Sequence, residues 1–355
     1  MLDIYKTHYL LMAVRELVPA ARFLRDRYFP TNDVTDIFAT TDVIVEYKDG
    51  DKKLAPFVVP RKGGVAVTRR GYSAKRYEPA FIAPKRELTI DDLMRKGFGE
   101  SMVSSLTPEA RQTALLMSDF DEMDAMISRR EEAMAAETLL TNACVMKHIA
   151  DKEDLPVEMQ IQFYEDTNEA QYTPATEWNA TGAKIIDDIA AAARMLKSRG
   201  LPATDLVVSS DVGSAILADE TILKLLDIRR ADLGTIAPTG LPNGASYIGR
   251  INTVAGPIDI FQYDETYEAD DGTDTPYIAA GKAILTAPGC GRTVYGAVTQ
   301  LEESDHTFHT YAERRVPKYH GDIAADIREL YLRSRPLMVP NHKDAWITIN
   351  AITAD

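Results

Sequence analysis

Arg61-Lys62-Gly63-Gly64-Val65-Ala66-Val67-Thr68-Arg69-Arg70 is the centre of a segment whose charge opposes that of the whole chain. From Lys52 to Arg86 there are ten Lys/Arg and a single acid, Glu78, a local charge of +9. The full 355 residues carry −14, so the rest of the chain stands at −23. A segment of opposite sign to its own body is built to meet an acidic surface, either nucleic acid or another copy of the chain. Turn chemistry gives its shape: Arg61-Lys62-Gly63-Gly64 is a break between the β-rich runs Phe57-Val58-Val59 and Val65-Ala66-Val67-Thr68. The reading is a two-stranded basic ribbon that leaves the body at Asp42 to Tyr47 and returns through Phe81 to Leu88. With limbs of about 15 to 18 residues at ~3.3 Å each, it reaches roughly 50 Å. A hairpin of that length is marginal in water, so its support is expected from outside the subunit. Arg61, Lys62, Gly63, Gly64, Arg69, Arg70, Lys75 and Arg76 are the candidate contact residues.

Composition bounds the rest. Hydrophobic content of 45% and charged content of 26% belong to an ordinary globular protein with room for a real core. The apolar runs fall far short of the ~18 residues that span a bilayer, and no secretory signal is read at the N-terminus. The two cysteines, Cys144 and Cys290, are too few for a disulfide framework and are read as free thiols. A pI near 5 argues against a nucleic-acid binder, the ribbon excepted.

Around the ribbon the chain divides into an arm, a helical stretch and an α/β block. Leu10 to Phe29 has helical periodicity broken at Pro19 and stopped at Pro30. Thr107-Pro108 reads as an N-cap with Pro at the first helical position, and no Gly or Pro follows until Pro156. Leu116, Phe120, Met123, Ile127 and Met134, then Leu139, Leu140, Val145, Met146 and Ile149, extend the pattern. A helix of ~40 residues, roughly 60 Å, is a structural spine. Residues 183–199 predict a second helix closed by Gly200, and strands are predicted at 157–164, 206–210, 245–250, 258–263, 284–286, 307–316, 329–332 and 345–352. Between Asp259 and Asp274 lie seven acids and no base, a complement to the ribbon.

Catalytic constellations are sought and not found. Gly289-Cys290-Gly291-Arg292-Thr293 lacks a third glycine and runs into a strand, not a helix N-terminus. His306 and His309, read on a strand, point to opposite faces. Asp270-Asp271-Gly272-Thr273-Asp274 has no closing Glu for calcium. Ser209-Ser210-Asp211 reads as a helix N-cap. No metal, cofactor or catalytic residue is therefore assigned.

The order of these parts resembles the Hong Kong-97-type fold of tailed-phage major capsid proteins, and more narrowly the lambda-type major capsid protein E family. Phe23-Leu24-Arg25 through Tyr28-Phe29-Pro30-Thr31 is similar to the family's arm. Thr68-Arg69-Arg70-Gly71-Tyr72 and Tyr77-Glu78-Pro79-Ala80-Phe81-Ile82-Ala83-Pro84-Lys85 resemble the return limb of its extended loop. Glu177-Trp178, Arg292-Thr293-Val294-Tyr295-Gly296 and Arg335-Pro336-Leu337-Met338-Val339 look like later family segments. The resemblance implies an α+β fold with an N-terminal arm (1–40), an extended basic β-loop (41–90), a peripheral domain on the spine helix (91–177 and 299–355) and an α/β axial domain (178–298). It implies self-assembly into hexamers and pentamers of an icosahedral shell around a phage genome, with the protein in the virion and, during assembly, in the host cytoplasm. A separate scaffolding protein, a portal and a head protease are the expected partners, with a decoration protein as a further candidate. Packaged DNA touches the shell interior loosely, no membrane is involved and no catalysis is implied. An encapsulin-like compartment shell and a DNA-binding basic ribbon are the alternatives. If the ribbon meets an acidic protein surface, Arg69→Glu with Arg70→Glu blocks assembly in sedimentation while far-ultraviolet circular dichroism stays unchanged.

Overall fold

A computed structural model describes residues 22–47, 73–89 with 92, 108–148, 157–163, 170–222, 234–241, 244–269, 272–303, 305–322 and 326–353. Arg61, Lys62, Gly63, Gly64, Arg69 and Arg70 lie outside the described residues, as does the chain before Arg22. The arm enters as a short helix, α1 (Phe23–Tyr28), with Phe23, Leu24 and Tyr28 buried; Pro30 follows it. Strand β1 (Val43–Tyr47) then pairs antiparallel with β2 (Ser73–Tyr77), from Val43 opposite Tyr77 to Tyr47 opposite Ser73. This pair is the foot of the ribbon.

The return limb differs from the sequence reading. It ends at Tyr77, and β3 (Lys85–Leu88) pairs instead with β18 (Ile327–Arg333), which also pairs with β17 (Val316–Asp322). Pro79 and Pro84 explain the break, because neither has an N–H to continue a ladder with β1. Between them the chain crosses the body through a reciprocal bridge, Ile82 N to Ser334 O and Ser334 N to Ile82 O, both 2.9 Å.

The spine is α2 (Pro108–Thr141), 34 residues and about 50 Å long. It starts at the predicted proline but ends before Val145 and Met146. Asn142 takes a left-handed φ of 55°, and the chain continues as β4 (Ala143–His148), paired with β5 (Val157–Gln162). Cys144 and Met146 are buried with Val145 less so, an alternation of two that belongs to a strand. The apolar stripe of α2 serves two cores. Phe120, Met123 and Ile127 pack on Leu330 and Leu332 of the three-stranded sheet, whereas Met134, Ala135 and Leu139 join the main core.

The α/β block holds a seven-stranded sheet ordered β6 (Gln171–Tyr172), β20 (Ile347–Asn350), β13 (Lys282–Thr286), β7 (Asp205–Val208), β10 (Gly256–Tyr263), β9 (Ala245–Thr253), β8 (Gly234–Gly240). Helix α3 (Ile185–Arg199) buries Ile185, Ile189, Ala193 and Leu196 in this block's core and ends on Gly200 at φ 82°. Helix α4 (Ser210–Ala218) follows β7. The last strand, β20, reaches back into this sheet beside β13, carrying Ile347 and Ile349 with it, so pairing crosses the boundary drawn at 299 from sequence. Hairpin β11 (Thr266–Glu268) with β12 (Asp274–Pro276) leaves the block after β10, and β14 (Gly291–Tyr295) pairs with β19 (Pro336–Pro340). Hairpin β15 (Val298–Leu301) with β16 (Phe308–Tyr311) completes the strand-rich return.

Met123 sits fully buried inside α2. Met123→Pro removes a backbone hydrogen bond, clashes with the preceding turn and costs ~3 kcal/mol or more; insoluble or assembly-incompetent protein is expected, read by soluble yield and thermal melting.

Candidate functional site

At the ribbon's foot the strand alternation separates an inner from an outer face. Val43, Val45 and Tyr77 are buried, Ile44 is 54% exposed, and Tyr77 meets Phe163 edge-on at 5.5 Å. Of the predicted contact residues, Lys75 and Arg76 fall here. As neighbours on β2 they point to opposite faces. Lys75 Nζ donates to the carbonyl of Phe163 at 3.3 Å, and Arg76 pairs with Asp42 beside β1. Both are thus engaged within their own chain at the foot. The Arg76 pair is exposed and worth at most ~1 kcal/mol.

What ties the arm to the spine helix is a buried set of charges that the sequence reading missed. Glu131 of α2 is wholly buried and receives Arg22 Nη1 at 3.0 Å, Arg315 Nη1 and Nη2 at 2.7 and 3.1 Å, and the Tyr295 hydroxyl at 2.9 Å. Arg25 Nε stands 3.7 Å from the same carboxylate. Arg315 Nε also binds Asp124 at 2.7 Å, and Arg22 bonds Ser128. Glu132, next along, accepts the backbone N–H of Leu24 at 2.8 Å and of Arg25 at 3.0 Å, and the Tyr263 hydroxyl at 2.8 Å. Those two amides are orphan donors in the first turn of α1, whose preceding residue, Arg22, offers no side-chain cap. A carboxylate on the spine helix does the capping. On its other side α1 reaches the sheet, through Arg27 Nε to Asp205 at 2.6 Å and the Tyr28 hydroxyl to Asp205 at 3.2 Å. A signal for this set existed: Asp124, Ser128 and Glu131 fall at i, i+4 and i+7 inside the apolar stripe, the spacing of one buried face.

The two adjacent carboxyls have opposite electrostatics. Burial pushes Glu131 up, but Arg315, Arg25 and Arg22 outweigh it and hold the group at about 2. Burial also pushes Glu132 up, and its backbone and tyrosine donors leave it raised.

The candidate catalytic motifs resolve into structural parts. Gly289 to Thr293 is a turn entering β14, with Cys290 buried and its thiol pushed up to about 12 by burial. Burial likewise pushes Cys144 up to about 12. His306 lies in the β15–β16 turn at φ 53°, not on the strand, while His309 pairs with Asp305 at 2.7 Å. Ser209 precedes α4 at the N-cap position but makes no side-chain cap; its hydroxyl donates to Asp211 at 2.5 Å, and Asp211 accepts Gly281 N. Asp270 and Asp271 lie outside the described residues. Among the described residues no group of three or more His, Cys, Asp or Glu is placed to hold a metal, and no helix is long and apolar enough to cross a membrane.

Residues 6–351 match the family described as phage major capsid protein E. The chain belongs to that family. The capsid protein E chain is 24% identical over 320 residues to the major capsid protein of Escherichia phage lambda, covering 88% of this chain and 89% of that one. It is 23% identical to the major capsid protein of Enterobacteria phage phi80, with the same coverage. In three dimensions it is similar to a crystal structure from an Escherichia coli CFT073 prophage, described as its capsid protein, with a TM-score of 0.67, 17% identity, and 98% and 99% of the two chains covered. A phage-related protein of Bordetella bronchiseptica RB50 follows at TM-score 0.52 and 12% identity, covering 97% of each chain. The fold is the α+β Hong Kong-97-type capsid fold. The capsid protein E chain is a structural protein of the phage head shell and resides in the virion.

The charged set sets an acid limit for this chain. Glu131 has a folded pKa below its ordinary value, so its contribution is present above the unfolded pKa and is lost as pH falls from about 4.5 towards about 2. Urea unfolding of unassembled protein across that window is expected to show falling stability, with the fall flattened in Glu131→Gln. At pH 7 Glu131→Ala leaves three arginines without their shared partner and costs ~3–5 kcal/mol.

Proposed function

We propose that the chain assembles as hexamers and pentamers in which each basic ribbon lies on the acidic surface of a neighbouring copy. The carrying observation is the ribbon's foot: β1 and β2 form a sheet of two strands only, among the described residues, with Ile44 open to solvent. Such a pair is marginal alone. The segment it supports carries +9 against −23 elsewhere, so a second copy supplies the complementary surface. Arg61, Lys62, Gly63, Gly64, Arg69 and Arg70 form the distal contact in this reading, with Lys75 and Arg76 bracing the root.

The division into arm (1–40), loop (41–90), peripheral domain (91–177 and 299–355) and axial domain (178–298) belongs to the same proposal. So do a separate scaffolding protein, a portal, a head protease and a decoration protein as partners, together with loose contact to packaged DNA. The chain performs no catalysis in this reading; the buried, protonated thiols of Cys144 and Cys290 support that, since neither is a thiolate nucleophile. Membership of the capsid protein E family favours a phage shell over an encapsulin-like compartment.

Negative-stain microscopy with sedimentation at micromolar concentration tests the assembly. Rings or shells are expected, with or without added scaffold. A sharp monomer boundary that ignores both concentration and scaffold would overturn it, and tight, steeply salt-dependent binding of short duplex DNA would favour the DNA-binding ribbon.

A further inference from the structure

Strand β16 pairs with β15 on one side and, among the described residues, with no strand on the other. The bond from Glu302 N to Thr307 O, 2.9 Å, fixes which of its residues face which way. Antiparallel pairs alternate, so Thr307, His309 and Tyr311 turn their backbone groups to β15, while Phe308 and Thr310 turn theirs outward. Among the described residues those outward N–H and C=O groups have no partner. Phe308, His309 and Thr310 are all exposed. The Phe308 ring stands 75% exposed, opposite Leu301 at 40% on the same face of the hairpin.

An open backbone edge is a template for another strand, and folded chains commonly guard such edges with charge, proline or a bulge. Three other edges of this protein are guarded. Strand β3 presents Lys85, Arg86 and Glu87, all exposed, and β8 carries Pro238 with a register shift between Ile236 and Thr239. Strand β17 contains Pro317, and its Pro317 O and Gly321 N are taken by Gln300 and Glu303. Strand β16 has none of these devices. It reads Phe308-His309-Thr310-Tyr311, without proline or register shift, and its His309 ring already pairs with Asp305 at 2.7 Å.

We propose that β16 pairs antiparallel with β16 of a second copy across a two-fold axis. One register uses both outward residues on each side: Phe308 opposite the partner subunit's Thr310, with His309 opposite itself. The two outward pairs then exchange four backbone hydrogen bonds and fuse two hairpins into a four-stranded sheet, relieving the marginal stability of each alone. Phe308 gains the partner subunit's Thr310 as a neighbour on the face where it stands open. The edge is complementary to itself, and a shell of copies supplies that partner. A neutral strand does not suit DNA, whose phosphates call for cations. An isologous contact cannot close a ring of five or six subunits, so this one joins one ring to the next. The contact rests on the shell reading and adds how its rings are linked.

A single added thiol tests the register. Directly opposite residues in a non-hydrogen-bonded pair have Cα atoms ~4.5 Å apart, within disulfide range. Mild oxidation of assembled His309→Cys protein is therefore expected to give a disulfide-linked dimer, mapped by mass spectrometry; the native Cys144 and Cys290 are buried. In Thr310→Cys the new thiol sits two residues out of line with its own mate, beyond the ~7 Å limit, and little dimer is expected. Thr310→Pro deletes an outward N–H and leaves the ladder to β15 intact. Separate rings are expected from it, with closed shells reduced about tenfold or more in sedimentation and circular dichroism unchanged. If that variant fails to fold, the His309→Cys dimer decides alone. Normal shells from Thr310→Pro and no dimer from His309→Cys would sink the contact while leaving the shell reading intact. A Thr310→Cys dimer as abundant as that of His309→Cys would also overturn it. Wild-type protein that forms neither rings nor shells would remove the shell reading itself.

Discussion

Two adjacent carboxylates on the spine helix, Glu131 and Glu132, hold the separate parts of this chain to one another. Glu131 gathers arginines from the arm and from the entry to β17, with a tyrosine from β14. Glu132 caps the first turn of α1 and takes the Tyr263 hydroxyl from the large sheet. Four distant segments therefore converge on one helical turn. Buried charge of this kind costs several kcal/mol in desolvation, which only close pairing offsets. The cost is offset here by three guanidiniums and two hydroxyls around two carboxylates. Apolar packing is non-directional, whereas these forks have one geometry, so the set locates the arm as well as binding it.

The foot of the predicted ribbon is linked to the same spine helix through neighbouring elements. Its first strand follows the arm within the sequence, and its foot rests on Phe163 through Tyr77 and Lys75. Phe163 in turn follows the β4–β5 hairpin, which begins one residue after the spine ends. Placement of the spine thus fixes the root from which a basic segment leaves an acidic body. The spine helix behind that root packs into two separate apolar cores.

Much of this was legible from residues alone. The spine, the capped helix at 185–199, the buried strand at β7 and the contradictory charge of 52–86 all follow from local pattern, because helix period, glycine caps and net charge are properties of short stretches. The order of those parts carried the family. Two readings failed for one reason. The apolar positions Val145 and Met146 suit either a helix or a strand, and the left-handed Asn142 with a partner strand at 157–162 decided for the strand. Lys85 to Leu88 has strand character, but its partner is β18, some 240 residues later, because Pro79 and Pro84 deny it a ladder with the ribbon.

Only the tertiary structure assigned the polar residues their work. Asp124, Ser128 and Glu131 read as ordinary breaks in an amphipathic stripe until arginines from both ends of the chain arrive over them. The engagement of Lys75 and Arg76 within their own subunit is likewise a matter of distance. Sequence determined the elements, their order and the sign of the charge on each, since these rest on neighbouring residues. Tertiary structure decided which charges meet, since a salt bridge depends on a few ångströms between side chains that the sequence separates by a hundred positions or more.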